Sequence, residues 1–276
     1  MIRPLEDLQE TALNMAEGDL TQRVADPGPD EIGDVGRAFN SMATKVEEIV
    51  ADQRAFASNA SHELRTPLTT IRLRTEMMLN DDLDDEIEQE FIEEIDSEVQ
   101  RMGGLVNDLL LLSRIDAKRL SAGTEQIDAV RLLQKVLREF EPAAAEKEVD
   151  LQVNLPQAGL AVTANMNHLE TVYRNLIDNS LKYTESGGRI DINLQNDGEQ
   201  LQFKVVDNGE GIPAEDLDDI GKRFFRVDRA RGRKVAGTGL GLALVMSICE
   251  LYEGAVDIQS KGKGHGTIVA VRWPIG

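Results

Sequence analysis

The apolar residues near the start of the chain recur at helical spacing. Leu5, Leu8, Ala12 and Met15 stand 3, 4 and 3 residues apart, which makes one stripe on a helix over 5–17. The stretch "GDLTQRVADPGPDEIG" breaks that helix, with Gly18, Pro27, Gly28 and Pro29 marking a connector. A second stripe follows at Ile32, Val35, Phe39, Met42, Val46 and Ile49. It continues without a stop signal through Phe56, Ala60, Leu64, Leu68 and Ile71 to Met78, which predicts one helix from about 32 to 80. After "NDDLDD" a return helix places Ile87, Phe91, Ile95, Val99, Met102, Val106 and Leu109 on one face. Isolated helix pairs of this size cannot bury such stripes. The pattern therefore predicts all-α dimeric four-helix bundles, one from the first segment and another from the long hairpin.

Beyond a polar joint at 117–126 the texture changes to short alternating strands and amphipathic helices. The pattern predicts helices at 130–147, 165–183 and 239–253, strands near 149–154 and 160–164, a hairpin at 189–195 and 201–207, and closing strands at 255–260 and 267–273. This is a helix-on-sheet α+β sandwich. The chain thus divides into 1–48, 49–117, a hinge at 118–126, and 127–276, in keeping with a length of 276 residues and two or more domains.

Charge narrows the functional classes. The 50 acidic and 30 basic residues give a formal charge of −20, which repels nucleic acid and anionic lipid and excludes both as partners of the general surface. The single cysteine, Cys249, lies in the apolar helical stretch "LALVMSICELY" and reads as a buried, inert thiol in a reducing compartment. The longest apolar tract, Leu109 to Leu112, is far short of the ~20 residues that span a bilayer, and no signal peptide opens the chain. The chain as given is expected to be soluble. The acidic run from Asp81 to Glu98 could be imagined as a metal site, but its carboxylates fall on non-core positions and read as a solvated face.

The stretch "SHELRTPLTT" is anomalous within its helix. Pro67 removes an N–H donor and crowds the carbonyl of Glu63, at a cost of roughly 3 kcal/mol. At about 100° per residue, His62 lies on the solvent face, away from the core residue Leu64. A carboxylate at Glu63 could bond one ring nitrogen and raise the nucleophilicity of the other, while Pro67 makes a bendable point one turn away.

"FASNASHELRTPLTTI" resembles the phosphoacceptor box of sensor histidine kinases. That resemblance implies His62 as the phosphorylated nucleophile, Glu63 as its general base, Thr66 as the residue that positions a hydrolytic water in the reverse, phosphatase reaction, and Pro67 as the bending point.

A kinase must hold ATP, yet there is no G-x-x-x-x-G-K-[ST] loop, and in "GTGLGL" Leu242 stands where a dinucleotide fingerprint needs its third glycine. Other pieces compensate. "NLIDNSLKYT" puts Asn175, Asn179 and Lys182 on one helical face, two amide oxygens and an ammonium suited to Mg²⁺ and phosphate. "DNGEGIP" ends a strand on Asp207, with Gly209 and Gly211 allowing close approach to a flat ligand.

In their order with "RFFRVD" and "GTGLGLAL", these pieces resemble the ATP-binding domain that histidine kinases share with gyrase, heat-shock chaperone and mismatch-repair ATPases. The resemblance assigns Asp207 to the adenine amino group, Asn179 and Asn175 to magnesium, Lys182 to phosphate, Tyr183 to packing on the base and Arg226 to the γ-phosphate. It makes Gly237, Thr238, Gly239, Leu240 and Gly241 the lid hinge and helix start, whose N–H groups attract phosphate, and 221–236 a basic lid. At Asn165 the family often has an aspartate. His168 and His265 join no motif and read as structural.

"GDL" at Gly18 to Leu20 and "DEIG" at Asp30 to Gly33, after Pro4, resemble the HAMP linker, so 1–48 is expected to relay signals, 49–117 to dimerise and carry His62, and 127–276 to bind ATP. The resemblance implies a homodimer that autophosphorylates on His62 with Mg²⁺-ATP and passes the phosphoryl group to an aspartate on a response regulator receiver domain. It also implies an upstream transmembrane sensor outside this sequence, with the present chain its cytoplasmic portion. A conformational ATPase of the gyrase or chaperone type, or an inactive scaffold, are the alternatives; the first has no need of "SHELRTP", and intact Asn179, Asp207 and Gly239 argue against the second.

Overall fold

The computed structural model describes residues 3–25, 28, 30–80, 83–117, 123–196, 198–227 and 237–275. Pro27 and Pro29 of the connector, Asp81 and Asp82 of the hairpin loop, half of the joint at 117–126 and residues 228–236 of the lid expected at 221–236 lie outside the described residues. The chain divides into two compact units, Met1–Thr66 and Pro67–Gly276.

In the first unit, α1 (Arg3–Ala16) is followed by the connector and by the start of α2 (Glu31–Asn80). The connector is tied to α2 by Asn40, whose Oδ1 accepts from Val24 N–H at 2.8 Å while its Nδ2 donates to the Val24 carbonyl at 3.1 Å. Arg23 adds an ion pair with Glu47 at 2.6 Å. Leu5, Val35, Met42 and Ile49 are all more than half exposed in the single chain. α2 runs unbroken through Pro67.

In the second unit, α2 turns into α3 (Asp85–Asp116). Arg74 stacks 4.4 Å over the ring of buried Phe91 and pairs with Glu94 at 2.5 Å. The sheet domain follows as β1 (Glu125–Asp128), α4 (Ala129–Glu146), β2 (Asp150–Asn154), β3 (Ala161–Ala164), α5 (Met166–Tyr183), β4 (Arg189–Asn196), β5 (Gln200–Asp207), a 3₁₀ turn at Ala214–Asp216, α6 (Gly241–Leu251), β6 (Ala255–Ser260) and β7 (Thr267–Pro274).

Five strands form one sheet in the order β2-β4-β5-β7-β6; β2 and β4 are parallel, the other neighbours antiparallel. Ile190, Ile192 and Leu194 of β4 alternate inward with Leu201, Phe203 and Val205 of β5, and Trp273 joins them from β7. With the buried faces of α4, α5 and α6 they make the core, each large side chain contributing roughly 1.5–3 kcal/mol.

One strand was not anticipated. β1 pairs antiparallel with β3, Ile127 opposite Val162. Only Ile127 of "EQID" is fully buried, and one apolar position gives no alternation to read. The helix starts follow capping chemistry. Asp128 accepts from Val130 and Arg131 N–H groups at the start of α4, and Asn165 accepts from Asn167 N–H at 3.0 Å at the start of α5, so an asparagine fills the cap where an aspartate is common. His168 is structural: it is buried, and its Nδ1 lies 2.9 Å from the Tyr252 hydroxyl, which stacks on Trp273. Among the described residues no helix is long and apolar enough to cross a membrane.

Candidate functional site

A cleft of about 950 Å³ opens beside the C-terminal half of α5, the end of β5 and the start of α6. Asn175, Asn179, Lys182 and Tyr183 line it, with Asp207, Gly209, Gly211, Arg226, Gly237, Thr238, Gly239 and Gly241. The structure thus gathers into one cavity the residues that the four sequence boxes nominated, apart from Leu240, which is fully buried beneath it.

Asp207 is the buried charge at the cleft floor. Its Oδ1 accepts from the N–H groups of Gly209 at 3.0 Å and Thr267 at 3.1 Å, and Ser180 Oγ reaches its Oδ2 at 3.4 Å. Burial raises its pKa, and the three hydrogen bonds oppose that rise. With Oδ1 committed to the backbone, Oδ2 is the oxygen available to an incoming donor.

The glycine-rich turn is shaped by close packing. Gly239 has φ of +71°, and a Cβ there would press on the backbone of Phe224 and Phe225. Its carbonyl accepts from Phe224 N–H at 2.8 Å, holding a bulky residue at φ of +62°. Because Gly239 is left-handed, α6 starts two residues later than the pattern suggests, at Gly241. Arg226 Nη1 donates to the Gly237 carbonyl at 2.8 Å, and Lys182 pairs with Asp178 at 2.5 Å. Both cations are therefore held at the cleft rim by protein groups.

Three contributions escaped the sequence reading. Ser180 and Thr267 brace Asp207; Ser180 lies within "NLIDNSLKYT" but off the face that carries Asn175, Asn179 and Lys182, and Thr267 sits in no motif. The third is a helical face: Arg101, Gly104, Leu105 and Asp108 of α3 line the same cleft. Leu105 is buried, and burial pushes the Asp108 carboxyl up to about 6. Arg223 pairs with Asp116 at the end of α3 at 2.6 Å. The sequence reading placed the apolar face of this helix at Val99, Met102, Val106 and Leu109, and nothing in the sequence tells what the neighbouring face at 101, 104, 105 and 108 meets.

In the other unit, His62 is exposed on α2, with Glu63 partly buried beside it. Thr66 is exposed one turn on, and its Oγ1 donates to the His62 carbonyl at 3.3 Å. Pro67 is buried.

Among the described residues no group of three or more His, Cys, Asp or Glu side chains could hold a metal ion alone. Asn175 Nδ2 donates to the Thr171 carbonyl at 2.9 Å, which leaves its Oδ1 for the cleft. Two amide oxygens, from Asn175 and Asn179, suit a hard cation that brings its remaining oxygen ligands with a polyphosphate.

Family models match three consecutive stretches: a HAMP domain over residues 1–48, a His Kinase A (phospho-acceptor) domain over 52–118, and a histidine kinase-, DNA gyrase B- and HSP90-like ATPase over 164–276. The sensor histidine kinase WalK of Bacillus subtilis is 37% identical over 234 residues, covering 84% of this chain and 38% of that protein. The sensor histidine kinase CpxA of Escherichia coli is 33% identical over 265 residues, covering 96% and 56%. The solved structure of the Acinetobacter baumannii histidine kinase AdeS superposes with a TM-score of 0.62 at 25% identity, covering 78% of this chain and 98% of that one. The chain therefore spans about half the length, or less, of these two curated relatives.

Proposed function

Because the chain belongs to the sensor histidine kinases of two-component systems, we propose that it autophosphorylates His62 from ATP bound in the cleft and transfers the phosphoryl group to an aspartate of a response regulator. The observation that carries this reading is the coexistence of an exposed histidine beside a carboxylate with a cleft floored by Asp207, whose Oδ2 takes one long bond from Ser180 and keeps a lone pair for an exocyclic amine.

In the proposed reaction a ring nitrogen of His62 attacks the γ-phosphorus, the bond to the β,γ-bridging oxygen breaks, and ADP leaves. Glu63 takes the proton that the imidazole gives up. Asp207 orients the adenine through Oδ2, and Tyr183, 42% exposed at the rim, packs on the base. Asn175 and Asn179 would hold the magnesium that accompanies ATP, which would neutralise charge on the phosphates. Lys182 and Arg226 exchange Asp178 and the Gly237 carbonyl for phosphate oxygens. Thr66 serves the opposite reaction, positioning water against the phosphorylated regulator.

The exposed stripe at Val35, Met42, Ile49 and Leu68 supports a homodimer in which these residues meet their counterparts. As in a membrane sensor, the chain would form the cytoplasmic portion below a transmembrane region. The transfer step is tested by mixing labelled protein with a purified receiver domain: label should move to the receiver and become base-labile, as an acyl phosphate is. A receiver whose acceptor aspartate is replaced by asparagine should take none.

A further inference from the structure

The last turn of α5 carries Lys182 and Tyr183 at the cleft, and an α-helix cannot satisfy its final four carbonyls internally. Here all four are occupied. Thr184 N–H donates to the Ser180 carbonyl and Glu210 N–H to the Tyr183 carbonyl, each at 3.0 Å. The two between them, Leu181 and Lys182, accept from Nζ of Lys147 at 2.7 and 2.9 Å. Lys147 comes from another element, the C-cap of α4, and its ammonium also faces the negative end of the α5 dipole.

The residue that follows extends the same junction. Glu148 has φ of +57°, which turns the chain sharply from α4 into β2. Its carbonyl accepts from Gly187 N–H at 3.1 Å, and its Oε2 accepts from Ser186 Oγ at 2.8 Å. Asp150 N–H then donates to the Gly188 carbonyl at 2.9 Å. Ser186, Gly187 and Gly188 all line the cleft. One short turn, Lys147–Asp150, therefore fixes the segment 181–188 that forms one wall of the cavity.

We infer that Lys147 is a positioning residue for nucleotide binding: by holding the Leu181 and Lys182 carbonyls, it sets the direction in which the final turn of α5 presents Lys182 and Tyr183. The inference rests on reading the cleft as the nucleotide site. Lys147 itself touches no ligand in this account and acts through that turn. An uncharged side chain of similar reach, as in Lys147→Met, leaves two helix-end carbonyls without a donor and frees the turn to reorient.

The test is calorimetric titration with a magnesium-loaded, non-hydrolysable ATP analogue. The proteins are wild type, Lys147→Met, Lys147→Gln, Lys147→Arg, Lys182→Met and the double variant Lys147→Met with Lys182→Met. Lys147→Met is expected to weaken binding about tenfold and Lys147→Gln by less, because a neutral donor remains, while Lys147→Arg recovers most of the loss. If both lysines act through one turn, the double variant binds within about threefold of Lys182→Met alone. Unchanged affinity in Lys147→Met overturns the inference, as does a double variant whose loss is the product of the two single losses. Should Lys147→Met not fold, Lys147→Gln decides by the same comparison, and an unchanged affinity there overturns the inference. Wild type that binds no nucleotide overturns the cleft reading and this inference together, whereas binding that ignores Lys147 overturns the inference alone.

Discussion

Gly241, the first residue of α6, lies so close to the side-chain amide of Asn175 on α5 that a Cβ there would overlap Asn175 Oδ1. The start of α6 and the amide assigned to magnesium are thus fitted to each other, and the absence of a side chain at 241 is what lets Oδ1 keep its place. Gly241→Ala should displace Asn175 and lower the affinity for magnesium-ATP by about tenfold or more, with a smaller effect on adenosine, which carries no phosphate. Titrations with both ligands check this; equal losses would point to a general disturbance of the cleft instead.

In the proposed mechanism Glu63 and Thr66 divide the chemistry around His62. Removing a general base typically costs roughly 10²–10⁴-fold, so Glu63→Ala should depress autophosphorylation severely. Thr66 donates to the His62 carbonyl, a bond that the helix can lose at little cost. Thr66→Ala should therefore leave autophosphorylation within a few-fold and selectively remove phosphatase activity toward the cognate regulator. Measuring both rates for both variants checks this; equal loss of autokinase in the two would refute the division.

Asp108 gives a stability prediction with a definite sign. Its carboxyl titrates near 6 in the fold, above the ordinary 3.8, because burial disfavours the ionised form. The folded state thus holds that proton more tightly than the unfolded chain does. Stability from this group is present at low pH and is lost as pH rises through about 6. At about 1.4 kcal/mol per pH unit the full shift would be worth about 3 kcal/mol, which residual contact with water reduces to roughly 1–2. Asp108→Asn should therefore melt a few degrees above wild type at pH 8, the gap closing as pH falls from about 6 to about 4. Melting curves at several pH values check this, and a gap independent of pH would contradict it.

Much of this architecture was legible before any coordinates. Long apolar stripes at helical spacing announce α2 and α3 because each stripe repeats over many turns, and the alternating runs of β4 and β5 announce a half-buried sheet. Spacing put Asn175, Asn179 and Lys182 on one helical face and Asp207 at a strand end, while their reading as nucleotide boxes came from the resemblance to the kinase ATP-binding domain. What could not be read depends on partners distant in sequence. The Lys147 bonds to Leu181 and Lys182 carbonyls use backbone atoms, which carry no sequence signal, and Thr267 supports Asp207 through an N–H that any residue but proline would offer. The placement of Asp108 in the cleft depends on how α3 packs against α6, which neither helix's own periodicity encodes.

The central claim, that His62 accepts phosphate from ATP held by the Asp207 cleft, is tested most directly by incubating wild type and His62→Gln with γ-labelled ATP and treating each product with acid and with base. The account predicts an acid-labile, base-stable label on wild type, as a phosphoramidate requires, and none on His62→Gln, which should still bind nucleotide. Label that persists in His62→Gln, or that survives acid on wild type, would contradict it.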